Sequence, residues 1–169
     1  KQYYFIKKFN IEELSKLNPG ISIIFRNYNN KLDKKLLISL TNFCHKKNIK
    51  VYLANNVKLA IKFNFDGAYI PAFNKDFRHL SYSINSKFLI VGSAHNLKEI
   101  KIKELQKVKA IFLSSLFKQN KNFLGLNKFK NISNYTENKV IALGGISKKN
   151  IKKLNMLKIY GFAGIRYFE

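Results

Sequence analysis

Cysteine is almost absent from this chain. Its single copy, Cys44, excludes an intrachain disulfide and any metal site built from cysteine ligands. Tryptophan is missing altogether. No apolar run approaches the ~20 residues that span a bilayer, and no apolar segment follows a basic stretch as a secretory leader would. The first apolar run, Tyr3–Ile6, is too short for either role. Acidic residues are scarce, 9 against 32 Lys and Arg. An RGG tract, a basic arm, a helix-turn-helix spacing and an RNP pattern are also missing, so the charge has no nucleic-acid motif to accompany it. A cytoplasmic domain with no membrane partner is expected. The chain opens at Lys1 rather than a methionine, which leaves room for residues upstream.

What is present is 169 residues, 46% of them hydrophobic, enough for one full core but hardly two. The net charge of +23 is dispersed rather than patched. Lysines recur in pairs, as in Lys34-Lys35, Lys46-Lys47, Lys148-Lys149 and Lys152-Lys153. Lys, Asn, Ile and Phe share AT-rich codons, so genome composition accounts for the bias without a nucleic-acid partner. The field that results favours an anionic small substrate. Cys44 shares an apolar helix face with Leu40 and Phe43 and reads as a small buried hydrophobe.

Short β-branched and aromatic runs alternate with amphipathic stretches along the whole chain. The runs are Tyr3–Ile6, Ile21–Arg26, Lys50–Leu53, Gly67–Ile70, Phe88–Gly92, Ala110–Ser114, Val140–Gly144 and Ile159–Ile165. Asn10 is a cap for a helix through Leu14 and Leu17, and Asn30 or Asp33 opens a longer one. Val57–Phe63 and Leu97–Val108 repeat the helical spacing, and Ser147 is placed to cap Lys148–Leu157. Asn74–Ser86 reads as a short helix or an irregular loop. Near-continuous apolar strands mean burial on both faces, the mark of a parallel sheet covered by helices. Eight in strict alternation predict one compact (β/α)8 barrel over residues 1–169, with an open flavodoxin-like sheet as the alternative. The last strand ends near Glu169, so the closing eighth helix is expected to be missing. A second copy, as in a homodimer, or residues outside the sequence would then cover the apolar surface left beside it.

In a parallel barrel the chemistry sits at the carboxyl ends of the strands. Ile141-Ala142-Leu143-Gly144-Gly145-Ile146-Ser147 reads as a strand entering a helix through paired glycines. There backbone N–H groups can approach an anion and the helix dipole favours negative charge. Gly161-Phe162-Ala163-Gly164 on the last strand is the natural second half of that phosphate cradle. His95, at the end of the fifth run, is either a proton carrier or a residue that orients a loop. His45 and His79 are expected to be solvated.

These segments resemble the thiamine-phosphate synthase and TenI-like thiazole tautomerase family. Val140–Ile146 is similar to its V-A-I-G-G-I motif, Gly161–Ile165 to its terminal G-A-x-G-V, and Ile90–His95 to its I-G-x-S-x-H strand. Leu59-Ala60 with Phe65-Asp66-Gly67, Arg26, and Leu124-Gly125-Leu126 match further segments in order. The resemblance implies an enzyme that joins a pyrimidine diphosphate to a thiazole phosphate with Mg²⁺, or a relative that isomerises a thiazole carboxylate phosphate. Carried over by position, Gly144, Gly145, Gly164 and Ile165 would hold the thiazole phosphate. Arg26, Ser93 and Lys121 would lie near the pyrophosphate. The departures fall on the metal. Asn55 or Asn56 stands where the family has one magnesium-binding aspartate, and Asn74 where it has the other. Mg²⁺ relies on carboxylates, so magnesium binding is expected to be weak or lost. Asp76 is the one nearby carboxylate that could swing in, and Tyr28 replaces a family lysine. Three readings follow: a family enzyme, a regulatory barrel that keeps only the phosphate site, and a basic RNA-associated protein.

Overall fold

Apolar runs of four to six residues are too short to be stable alone and must pair edge to edge. In the computed structural model, which describes residues 1–28 and 32–168, they close into a barrel. Its strands are β1 Gln2–Ile6, β2 Ile21–Phe25, β3 Val51–Ala54, β4 Gly67–Ile70, β5 Leu89–Ala94, β6 Ala110–Leu113, β7 Lys139–Leu143 and β8 Gly161–Gly164. Each pairs parallel with the next, and β8 returns to β1 through Gln2 opposite Phe162. The open-sheet alternative is thereby excluded.

Alternation of side chains sorts the core into an inside and an outside. Tyr3, Phe5, Ile24, Tyr52, Tyr69, Phe112 and Ile141 fill the barrel. Phe112 is the hub, with edge-to-face contacts to Tyr3, Phe5 and Tyr69 at ring separations of 5.0, 5.8 and 5.5 Å. The opposite parity, including Tyr4, Ile6, Ile23, Phe25, Ile111 and Leu113, packs outward beneath the helices.

The helices are α1 Ile11–Ser15, α2 Lys34–Lys46, α3 Val57–Lys62, α4 Leu97–Leu105 and α5 Gly125–Ser133. Asn10 caps α1 as its position suggested. Asp33 caps α2 by accepting from the Leu36 N–H at 3.2 Å, while Asn30 lies outside the described residues. Cys44 is fully buried on α2, as a small hydrophobe. Asn74–Ser86 is a loop with one 3₁₀ turn at Arg78–Ser81.

Three expectations need correction. Ser147 does not cap an α-helix. Its carbonyl accepts from the Ile151 N–H at 3.0 Å and its N–H donates to Asn150 Oδ1 at 2.9 Å, but no side-chain cap forms and the chain continues only as a 3₁₀ turn at Ile151–Met156. His79 is not solvated but buried, with Nε2 2.9 Å from the Gln106 carbonyl. The helix α5 was not anticipated, because Leu124 offers no capping side chain, yet Phe129 and Ile132 bury one face of it. No α-helix follows β8 among the described residues. A turn there places Tyr167 and Phe168 against Phe162, and Phe168 also meets Tyr4 at 5.1 Å.

The hub carries a measurable share of stability. Phe112→Ala should lower unfolding free energy by about 3–5 kcal/mol in urea titration, because it leaves a cavity facing three aromatic rings.

Candidate active site

The inward parity of each strand continues upward into its loop and so selects what stands in the mouth. Arg26 follows Ser22 and Ile24 on β2, and His95 follows Val91 and Ser93 on β5. Together with the loops after β6, β7 and β8 they bound a cleft of about 690 Å³. Six residues singled out from the sequence line it: Arg26, His95, Gly144, Gly145, Gly164 and Ile165. The other two do not. Ser93 is buried one layer lower, where its side chain bonds the Tyr69 hydroxyl. Burial pushes that phenol up, while Ser93 and the charge of Arg26 act against the shift. Lys121 is exposed outside the cleft, and Lys118 of the same loop lines it instead. Arg166 adds a third cation to Arg26 and Lys118. Arg26 also lies over the Phe5 ring at 5.1 Å, which ties its stem to the barrel interior.

The glycine pair is a contact surface. Gly144 and Gly145 have φ of +106° and +76°, where a side chain is strained. A Cβ on Gly144 would stand 2.5 Å from Ser115 Oγ, and one on Gly145 would stand 2.6 Å from the Lys118 nitrogen. The Gly144 carbonyl accepts from the N–H of Phe117 at 2.7 Å and of Lys118 at 3.2 Å. The loops after β6 and β7 thus form one wall of the cleft. Since no α-helix begins here, the cleft has no helix dipole at this point, and its positive groups are the three cations. The Asn150 amide donates to the Gly145 carbonyl at 2.8 Å and holds the loop from behind.

His95 has a partner that the sequence reading did not name. Its Nδ1 lies 2.8 Å from Glu99 Oε2, and its backbone N–H donates to the same oxygen at 2.7 Å. A carboxylate only accepts, so Nδ1 carries the proton of the neutral ring and Nε2 is left as a base. Asn96 caps α4 by accepting from the Glu99 N–H at 2.9 Å, which fixes the carboxylate at the first turn. The spacing of four between His95 and Glu99, astride an N-cap asparagine, was the available signal.

The expected metal corner has a different chemistry. Asn74 Nδ2 donates to Asn55 Oδ1 at 2.7 Å, so the two amides bind each other. Asn74 Oδ1 accepts from the Asp76 N–H, and Asn56 Oδ1 from the Leu59 N–H. All three amide oxygens are thus engaged within the protein. Asp76, the one carboxylate in reach by sequence, is held by Arg78, which keeps its carboxyl below the usual range. Among the described residues no three His, Cys, Asp or Glu side chains gather to hold a metal. The donor set does not fit Mg²⁺. Nearby, Tyr28 meets Phe73 edge-on at 5.7 Å where the resemblance implied a lysine.

The family model described as thiamine monophosphate synthase matches residues 12–168. A thiamine-phosphate synthase of Methanococcus vannielii is 36% identical over 80 residues, covering 44% of this chain and 39% of that protein. The match therefore spans well under half of that relative. A thiamine-phosphate synthase of Hydrogenobaculum sp. is 26% identical over 156 residues, covering 87% of this chain and 72% of that protein. In three dimensions a thiamine phosphate pyrophosphorylase from Pyrococcus furiosus superposes with a TM-score of 0.77 at 18% identity. That superposition covers 98% of this chain and 85% of the other.

The wall geometry makes Gly145 the sharpest probe of the cleft. Gly145→Val should weaken binding of a phosphorylated ligand by about tenfold or more, equivalent to ~1.4 kcal/mol. Unchanged affinity in calorimetry would remove this wall from the binding site.

Proposed function

Because the chain belongs to the thiamine monophosphate synthase family, we propose that its mouth binds a phosphorylated thiazole and moves a proton on that ring, without metal-dependent condensation. The observation that carries this reading is the His95–Glu99 pair at the edge of a cationic cleft. The phosphate sits against Gly144, Gly145 and Gly164, neutralised by Lys118 and Arg166, with Arg26 on the facing wall. That anchor leaves the ring near His95. Nε2 takes a proton from a ring carbon, the imidazolium is stabilised by Glu99, and the same proton returns at another ring position. No net charge is created, and no diphosphate has to be held. Ser93 serves from below, bonded to Tyr69, and Lys121 supplies long-range field only.

The asparagine corner supports the same choice. A magnesium diphosphate brings a divalent cation that needs charged oxygen ligands, and Asn55, Asn56 and Asn74 provide engaged neutral ones.

Two outcomes test the reading. His95→Gln should slow isomerisation of a thiazole carboxylate phosphate by about a hundredfold or more, followed by NMR in deuterated buffer. Glu99→Gln should slow it less, because Nε2 remains but the imidazolium loses its counter-charge. Rates indifferent to both substitutions would assign His95 to loop orientation, and a protein that binds thiazole phosphate tightly without turnover would be the regulatory barrel.

The second outcome concerns condensation. Purified protein mixed with both thiamine precursors and Mg²⁺ should form thiamine phosphate at a rate at least about a hundredfold below that of a carboxylate-bearing family member. Asn55→Asp combined with Asn74→Asp should restore part of that rate. Vigorous turnover by the unaltered chain would overturn the metal-free reading.

A further inference from the structure

The least expected group in the molecule is a fully buried lysine between α4 and the outer face of β5. Lys103 lies on α4 with no exposed surface, so its ammonium does not snorkel to water. Its stem runs past Gly92 of β5, where a Cβ would stand 2.8 Å from Lys103 Cδ. Nζ ends on two oxygens, the Asn74 carbonyl and Gln106 Oε1, each at 2.7 Å. No carboxylate lies within ion-pair distance of it among the described residues, and Glu99 acts on it only through space. Burial pulls its pKa down to about 8.

Burying an ammonium is costly, and a fully packed helix position would accept a leucine or methionine more cheaply. What the charge does here is local and specific. The Asn74 carbonyl accepts from both Lys103 Nζ and Gln106 Nε2, the latter at 3.2 Å. Gln106 Nε2 also donates to the Asp76 carbonyl at 2.9 Å, and the Gln106 carbonyl meets His79 at 2.9 Å. The loop from Asn74 to His79 is thus strapped to the end of α4 at three carbonyl or ring contacts. Its own bonds are short-range: the Asn74 N–H donates to Pro71, and the Asp76 N–H to Asn74 Oδ1. Those bonds shape the loop but do not attach it to the barrel.

We propose that Lys103 and Gln106 are positioning residues, an internal cation and an amide that hold the β4–β5 loop so that Asn74 meets Asn55 without a bound metal ion. The corner they organise borders a polar pocket of about 170 Å³ that also contains Lys58 and Tyr82. This inference stands apart from the thiazole reading, since none of these residues lines the phosphate cleft.

The loop carries two exposed trypsin sites, after Lys75 and after Arg78, which report its attachment directly. Limited digestion read by mass spectrometry should show both bonds cleaved at least about tenfold faster, relative to other sites, in Lys103→Met and in Gln106→Leu, as loss of charge-assisted bonds implies. In ¹⁵N spectra the Asn74 side-chain amide should lose its hydrogen-bonded shift in both variants, a signature that general loosening of α4 would not single out. Millimolar Mg²⁺ should leave wild-type cleavage unchanged. Should Lys103→Met fail to fold by far-UV circular dichroism, Gln106→Glu decides the matter. It keeps an acceptor for the ammonium and removes both amide donors, and faster cleavage is expected. Unchanged cleavage with an unchanged Asn74 signal in folded variants would overturn the strap. Protection of the wild-type loop by Mg²⁺ would overturn its independence from metal.

Discussion

Eight strands close into a barrel only if alternate side chains fill its inside, and that parity then governs everything above it. Tyr3, Phe5, Tyr52, Tyr69 and Phe112 take the interior positions, so the next inward positions must emerge at the mouth. Arg26 and His95 are those positions on β2 and β5. Shifting β2 by one residue would send Arg26 outward under the helices, and the same shift in β5 would do so to His95. The chemistry of the mouth is therefore coupled to the packing of the core. Arg26 shows the coupling directly, since its guanidinium rests on the Phe5 ring that itself packs on Phe112.

Closure also brings consecutive loops into contact, and the glycines of β7 show how close that contact is. Gly144 and Gly145 leave no room for a Cβ because the β6 loop lies against them. A fingerprint of two glycines is usually credited to backbone freedom alone. Here steric approach and positive φ coincide, and the carbonyl of Gly144 is engaged by two N–H groups of the neighbouring loop. The wall is already held by bonds between the two loops, so an anion binding against it would meet a lower ordering cost. Dispersed lysines supply the long-range field, and three basic side chains supply the local one.

Much of this was legible in the sequence because strand burial writes itself into composition. Runs such as Ile21–Phe25 and Ala110–Leu113 have no alternation to confuse with a half-exposed strand. What was not legible depended on contacts between distant segments. His79 looked like a loop histidine, and its burial is decided by the Gln106 carbonyl 27 positions away. Lys118 rather than Lys121 faces the cleft because the β6 loop is pinned at Lys118 by Gly144 and Gly145. Ser147 had the right identity for an N-cap, but the chain after it forms a 3₁₀ turn rather than an α-helix. Local signals propose an element, and tertiary competition selects it.

The asparagines and the buried lysine are two sides of one electrostatic problem. A corner built from paired carboxylates needs a cation to be tolerable, because two like charges in contact cannot both stay ionised. Replacing the carboxylates by amides removes that need, since Asn74 can donate to Asn55 directly. It also removes whatever order a bound cation would have imposed on the loop. Lys103 restores order from inside: its ammonium engages the backbone of Asn74 rather than its side chain. That leaves the Asn74 amide free to face Asn55. The positive charge, moved from a diffusible ion to a covalently attached one beneath the loop, is then independent of solution metal. A corner organised in that way would keep its shape whether or not a diphosphate is ever bound.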